Sequence, residues 1–382
     1  MRFSSRGNVE PFRVMDVMEA ARQLEASGRD VVHMEVGQPG TPAPKTATDR
    51  LMAEIATGAP MGYTVALGLP ELRRGVAQLY RNRHGIDLNP DRVIVTPGSS
   101  GAFILAFLAL FDAGDQVAMA TPSYPAYKNI LRALDIAPVG VSSSIESGFQ
   151  PDLAQLPENP GFQGLLVASP ANPTGTMLSD DQLKGVAQWS AATDVSLISD
   201  EIYHGLSYES PAKSALEVTD DVIVVNSFAK YFSMTGWRIG WMVVPESMIR
   251  RVENLAQNFF ICSSHASQVA AMGALEGTEE LEGHRAVYAR NRKQLMDALP
   301  GLGFTDIAPP DGAFYIYAKL PDLGEDSPEF CRRLLQDGGV ATTTGLDFDD
   351  LHGHQTLRFS FARTEAEIAE GIRRLSEFMQ KG

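Results

Sequence analysis

The chain has 382 residues, 44% of them hydrophobic and 21% charged, which is enough for a large core and two lobes. A net charge of −15 excludes nucleic acid as the main partner, because phosphate backbones require a basic face, but permits a small anion held by a local cluster of donors. Two cysteines with no CxxC spacing exclude a zinc or dithiol framework and fit a reducing, cytoplasmic setting.

The opening MRFSSRGNVEPFRV has no apolar centre, so no secretory leader is expected, and no apolar run reaches membrane-spanning length. Val14, Val17, Met18, Ala21 and Leu24 recur at helical spacing, which predicts a helix over 11–27 closed by Gly28. VVHMEV (31–36) reads as a short strand, and GQPGTPAPK (37–45) as a boundary loop. A second helix is expected over 70–84, with Leu72, Val76, Leu79 and Tyr80 on one face and Gly85 as its stop.

Short apolar runs then recur at 93–96, 117–120, 164–168, 195–199, 222–226 and 240–244, with helical patterns between most of them. Ser179-x-x-Gln182 forms a capping box for one of those helices. Such alternation predicts an α/β fold: a mostly parallel, mixed sheet covered by helices on both faces. Past 245 the chain turns helical to about 299, then gives a strand in 312–320, a helix near 328–337 and a strand in LRFSFA (357–362). The last helix opens at Thr364-x-x-Glu367. The expected organisation is a large domain over 46–280 and a smaller α+β domain built from 1–45 and 281–382.

Ligands of open α/β sheets bind beyond the carboxyl ends of the strands. Four of these runs are followed by polar residues: PGSSGA (97–102), SPANPTG (169–175), Asp200 with Glu201 and Tyr203, and Ser227 with Lys230. Each has an ordinary structural reading alone. The Gly/Ser turn is a helix cap, Asn172-Pro173 a turn, Asp200 a cap, Lys230 a solvated side chain and Arg238 half of a surface ion pair. Together at one sheet edge they describe a site.

Pyridoxal phosphate (PLP) chemistry needs this set. A lysine amine must bond the cofactor aldehyde, which requires a pKa lowered from about 10.4 by desolvation or a nearby cation. Lys230, within SFAKYFSMTGWRIGW (227–241), has apolar neighbours and Arg238 close behind. A carboxylate must keep the pyridine nitrogen protonated, which suits Asp200. Tyr203 and Asn172 suit the ring oxygen, and Tyr124 in TPSYPAY (121–127) suits the ring face. Ser99, Ser100, Ser227 and Arg238 suit the phosphate.

These stretches, with DEIY (200–203), GYTVALGLPELRRGV (62–76) and GAFY (312–315), resemble the class I/II aminotransferases, the fold type I group of PLP enzymes. The resemblance runs through nearly the whole chain in order. It implies that Lys230 is the Schiff-base lysine and proton shuttle, with Asp200 and Tyr203 beside it in catalysis. It implies that Arg358 forks onto the substrate α-carboxylate, with Gly37 offering its backbone and Asn172 also touching substrate. Tyr63 would reach the phosphate in the other subunit of a homodimer. The reaction implied is ping-pong transfer of an amino group between an L-amino acid and a 2-oxo acid. Ala229 stands where many members have serine. Ser100 stands where some aspartate-specific bacterial relatives carry a lysine for the second carboxylate, so provision for aspartate is not evident.

Two other enzyme readings stay open at this level. A β-lyase would use the same cofactor residues with a different substrate pocket. A serine hydrolase would use Ser100 in a near miss to the nucleophile elbow, with His352 or His354 as base. A DNA-binding regulator on the same scaffold would need an added domain and a basic face. Neither nucleic acid nor membrane is an expected partner, and no metal site is expected. His204 reads as a structural histidine.

Overall fold

The computed structural model describes residues 1–381. Helix α1 (Arg13–Ala26) is followed by the short strand β1 (Val32–His33), α2 (Lys45–Ala56) and α3 (Pro70–His84). Strand β2 (Val93–Thr96), α4 (Gly98–Leu110), β3 (Gln116–Ala120), α5 (Pro125–Ala133) and β4 (Ala137–Val141) come next. Then follow β5 (Gly164–Ala168), α6 (Asp180–Thr193), β6 (Ser196–Asp200), β7 (Ile223–Ser227) and β8 (Gly240–Val243). Three helices, α7 (Ile249–Phe260), α8 (His265–Ala274) and α9 (Thr278–Ala298), lead to β9 (Tyr315–Lys319). The chain closes with α10 (Ser327–Arg333), β10 (Val340–Ala341), β11 (Thr343–Thr344), β12 (Thr356–Ser360) and α11 (Glu365–Lys381).

The main sheet has seven strands in the order β2-β8-β7-β6-β5-β3-β4. Only β8 runs against its neighbours, so the α/β reading and the mixed, mostly parallel sheet hold. Val93–Val95, Leu165–Val167 and Ile223–Val225 are buried on both faces, which is why these strands read as continuous apolar runs. Strand register brings the carboxyl ends level. Thr96 and Ser227 both pair with Gly240, while Asp200 lies between Ala168 and Val225. The capping box of α6 forms as expected, and Thr364 and Glu367 cap α11 reciprocally.

Three expectations shift. β4 lies at the sheet edge, where Pro138 and Gly140 obscure its strand character. The strand expected over 31–36 pairs only at Val32 and His33, against β10. The strand expected over 312–320 begins at Tyr315, because Gly312 and Ala313 instead donate to the carbonyls of Gly175 and Leu206.

A three-stranded sheet, β11-β12-β9, carries Arg358 on its central strand. The N-terminal segment is stitched to this end of the chain. Val32 pairs with Val340, Ser360 donates to the carbonyl of Met34, and Ala21 and Val31 pack with Leu335 and Ala341. Among the described residues no helix is long and apolar enough to cross a membrane.

Candidate active site

A cavity of about 380 Å³ opens at the carboxyl ends of the main sheet and runs toward β12. Gly37, Ser99, Ser100, Tyr124, Asn172, Tyr203, Lys230, Arg238 and Arg358 all line it. Residues from seven separate segments thus meet at one place.

Lys230 lies three residues past the end of β7. The turn around it is fixed by Phe228, which packs on Phe232 at 4.8 Å and on Trp241 at 4.9 Å between ring centroids. Ser227 secures the same turn: its hydroxyl donates to the Ile239 carbonyl and accepts from Ala229 N. Ser227 does not open onto the cavity. The Lys230 amine donates to the carbonyl of Gly37 at 2.6 Å. Burial lowers its pKa to about 8, helped by the Arg358 and Arg238 charges and opposed by Asp200.

Asp200 is buried at the end of β6. Its carboxylate accepts from the Tyr127 hydroxyl and from Ile202 N at 3.0 Å. Burial raises its pKa to about 6, while those two donors and Lys230 pull it down. It therefore remains a carboxylate at neutral pH. The next residue, Glu201, turns away and accepts from Ser199, Ser214 and Ala215. Burial pushes Glu201 up to about 8. His204 packs on His84 at 5.3 Å with Nε2 3.1 Å from the Ser169 carbonyl, and burial holds it well below its ordinary pKa.

The first turn of α4 presents Ser99 and Ser100 beside free helical N–H groups, the usual seat of a phosphate. Gly98 has φ +74, and a Cβ there would lie 2.4 Å from Nη2 of Arg238. Arg238 is exposed, with Nη1 donating to the Thr235 carbonyl at 3.0 Å. Tyr124 stands edge-on to Tyr127 at 5.3 Å and to Phe12 at 5.8 Å.

Arg358 is 2% exposed. Its guanidinium lies 4.5 Å from the Tyr315 ring centroid and 4.7 Å from that of Phe348. Nη1 donates to Asn172 Oδ1 at 2.9 Å and Nη2 to the Glu35 carbonyl at 2.5 Å. Nε is buried without a partner, an unmet donor of the kind a substrate carboxylate would satisfy. Tyr315 and Tyr203 share a hydrogen bond of 2.8 Å.

These residues fit PLP. The donor set at α4 suits its phosphate, the buried carboxylate suits its ring nitrogen, and the lowered amine suits its aldehyde. Tyr63, by contrast, is 82% exposed and outside this cavity. His352 and His354 are exposed, and no histidine among the described residues lines the cavity, so neither histidine base of the hydrolase reading stands beside Ser100.

The sequence pattern alone missed Tyr127, Tyr315, Phe12, Val14, Met15 and Gln38. Tyr127 had a signal, since it follows Tyr124 by nearly one helical turn and shares its face. Tyr315 closes the GAFY stretch. The N-terminal residues carried none, because only the tertiary fold brings them to the cavity.

Residues 29–375 match the family described as aminotransferase class I and II. The valine–pyruvate aminotransferase of Mycobacterium tuberculosis is 46% identical over 383 residues, covering 99% of this chain and 98% of that one. A solved structure from Silicibacter pomeroyi superposes with a TM-score of 0.94 at 53% identity, covering 100% of both chains. An aminotransferase structure from Mycobacterium tuberculosis gives 0.97 at 45% identity, again covering 100% of both.

Proposed function

The chain belongs to the class I and II aminotransferases, and from that premise we propose that it moves an amino group between an apolar L-amino acid and a 2-oxo acid, ping-pong fashion, with PLP as cofactor. The observation that carries this is the convergence of Lys230, Tyr203 and Arg358 on one cavity, with the Asp200 carboxylate buried behind its wall and bonded to Tyr127, which lines it. Ser99, Ser100, the amides opening α4 and Arg238 would hold the phosphate. Asp200 would hold the ring nitrogen protonated, and Asn172 and Tyr203 would hold the ring oxygen. Tyr124 would cover the ring. When bound, PLP supplies an electron sink for the pair left at substrate Cα.

The chain's own residues do the rest. The guanidinium of Arg358 binds the α-carboxylate as a planar fork, with Gly37 alongside. Lys230 Nζ, neutral from about pH 8 upward, takes the Cα proton and later returns it. The side-chain end of the cavity is walled by Phe12, Val14, Met15 and Ile202. The cations lining it are Lys230, Arg238 and Arg358, each with a task already. None remains for a second carboxylate, which supports an apolar side chain over aspartate. The valine–pyruvate activity in the name of the M. tuberculosis relative agrees.

We further propose a cytoplasmic homodimer. Tyr63, Val65 and Ile261 are exposed together, and Thr64 N donates to Cys262 Sγ between them. Such a patch supports a second copy, into whose phosphate site Tyr63 would reach.

The test is the visible spectrum of the PLP-loaded protein, before and after single L-amino acids with no oxo acid present. Bleaching by L-valine or L-alanine that stops after one turnover is expected. Continued product release without an oxo acid would overturn transamination in favour of a lyase.

A further inference from the structure

Helix α1 begins without a cap of its own. Its N-cap residue is Phe12, whose side chain accepts no hydrogen bond, so the first N–H groups need partners from elsewhere. They find one 333 residues on. Asp347 Oδ1 accepts from Arg13 N at 2.9 Å, and Oδ2 accepts from Val14 N at 2.9 Å. Asp347 is 4% exposed, and its charge also complements the positive end of the helix.

The turn that carries Asp347 reaches three parts of the cavity. Gly345 packs so closely on β12 that a Cβ would lie 1.9 Å from Thr356 Oγ1. The Phe348 ring lies under the Arg358 guanidinium. The Phe348 carbonyl accepts from Ser123 N at 3.0 Å, next to Tyr124. One short turn therefore sets where Arg358, Tyr124 and the first turn of α1 stand relative to each other. That first turn contributes Phe12, Val14 and Met15 to the cavity, with Phe12 edge-on to Tyr124.

We propose that Asp347 is a positioning residue for substrate selectivity: it caps α1 from across the chain and so holds Phe12, Val14 and Met15 as the apolar wall that favours branched over small side chains. This rests on the reading that the Lys230–Arg358 cavity takes the amino acid. Arg358 anchors the carboxylate and Lys230 faces Cα, so the distance from them to the wall decides which side chains make contact. Alanine ends short of such a wall, whereas valine reaches further toward it.

The experiment uses the PLP-loaded protein and compares kcat/KM for L-valine and L-alanine. In Asp347→Ala the valine-to-alanine ratio should fall about tenfold, the size of losing a helix cap, with the loss in KM for valine. Asp347→Asn keeps one acceptor and should fall about threefold or less. Amide hydrogen exchange at Arg13 and Val14, followed without substrate, should quicken in Asp347→Ala. Phe12→Ala leaves the cap in place and should lower the same ratio, which keeps the test open if Asp347→Ala folds poorly.

Unchanged exchange would overturn the cap. Faster exchange with an unchanged ratio would overturn the selectivity role. Equal losses for valine and alanine would place the effect at Arg358 and also overturn it. A parent protein that turns over neither amino acid would sink the site reading itself, a result distinct from all of these.

Discussion

The amine of Lys230 donates to the carbonyl of Gly37 at 2.6 Å, across 193 residues of sequence. A carbonyl accepts the hydrogen bond without supplying the full charge that would hold the amine as ammonium. Burial and the Arg358 charge then dominate and bring its pKa to about 8.

That balance has a pH consequence. Only the neutral amine attacks an aldehyde, so the rate of PLP uptake by the cofactor-free protein should rise with pH through about 8. Arg358→Ala removes a cation that disfavours ammonium, so it should move the midpoint to higher pH. Stopped-flow absorbance during reconstitution reads both. Lys230→Ala should lower turnover about ten-thousand-fold while the protein stays folded by circular dichroism.

Tyr127 donates to the buried Asp200 carboxylate, and that bond favours the ionised form. Tyr127→Phe removes it, so the Asp200 pKa should climb from about 6 toward neutrality. Activity of the variant should then fall on the acid side, at a higher pH than in the parent. Superimposable acid limbs of the two kcat/KM profiles would refute the link.

Gly98 leaves no room for a side chain beside Arg238, and its φ of +74 disfavours one. Gly98→Ala should displace the guanidinium and weaken PLP binding by about 10- to 100-fold, the loss of one or two charge-assisted hydrogen bonds. Fluorescence titration of the cofactor-free protein gives the comparison.

Arg358 sits between the faces of Tyr315 and Phe348 with its fork already aimed. Lysine has no fork and stacks poorly there. Arg358→Lys should cut kcat/KM for the amino acid about 100-fold and leave PLP affinity within a factor of three. Equal losses of both would mean the carboxylate binds elsewhere.

Much of this is legible in the sequence. Strands buried on both faces announce themselves as apolar runs, and the turns after β2, β5, β6 and β7 carry Ser99, Asn172, Tyr203 and Lys230, which meet at the cavity. β4 was hidden because an edge strand tolerates Pro138 and Gly140. Ser227, expected among the phosphate donors, also bonds Ile239 across its own turn, a second task that no local pattern announces. The capping of α1 by Asp347 left no trace, since motif reading works over a few residues and this bond spans hundreds. Tyr127 lies within TPSYPAY, yet only the tertiary fold turns its hydroxyl to Asp200.

The pairing of β1 with β10 also sets an order of assembly. Val32 waits for Val340, and Met34 waits for Ser360. A chain leaving the ribosome completes the segments bearing Ser99, Asn172, Asp200, Lys230 and Arg238 well before those bearing Asp347 and Arg358. The half of the site suited to the phosphate and ring is therefore made first. The half proposed to read the amino acid closes last, by joining the two ends of the chain, and such high-separation contacts are the slow ones.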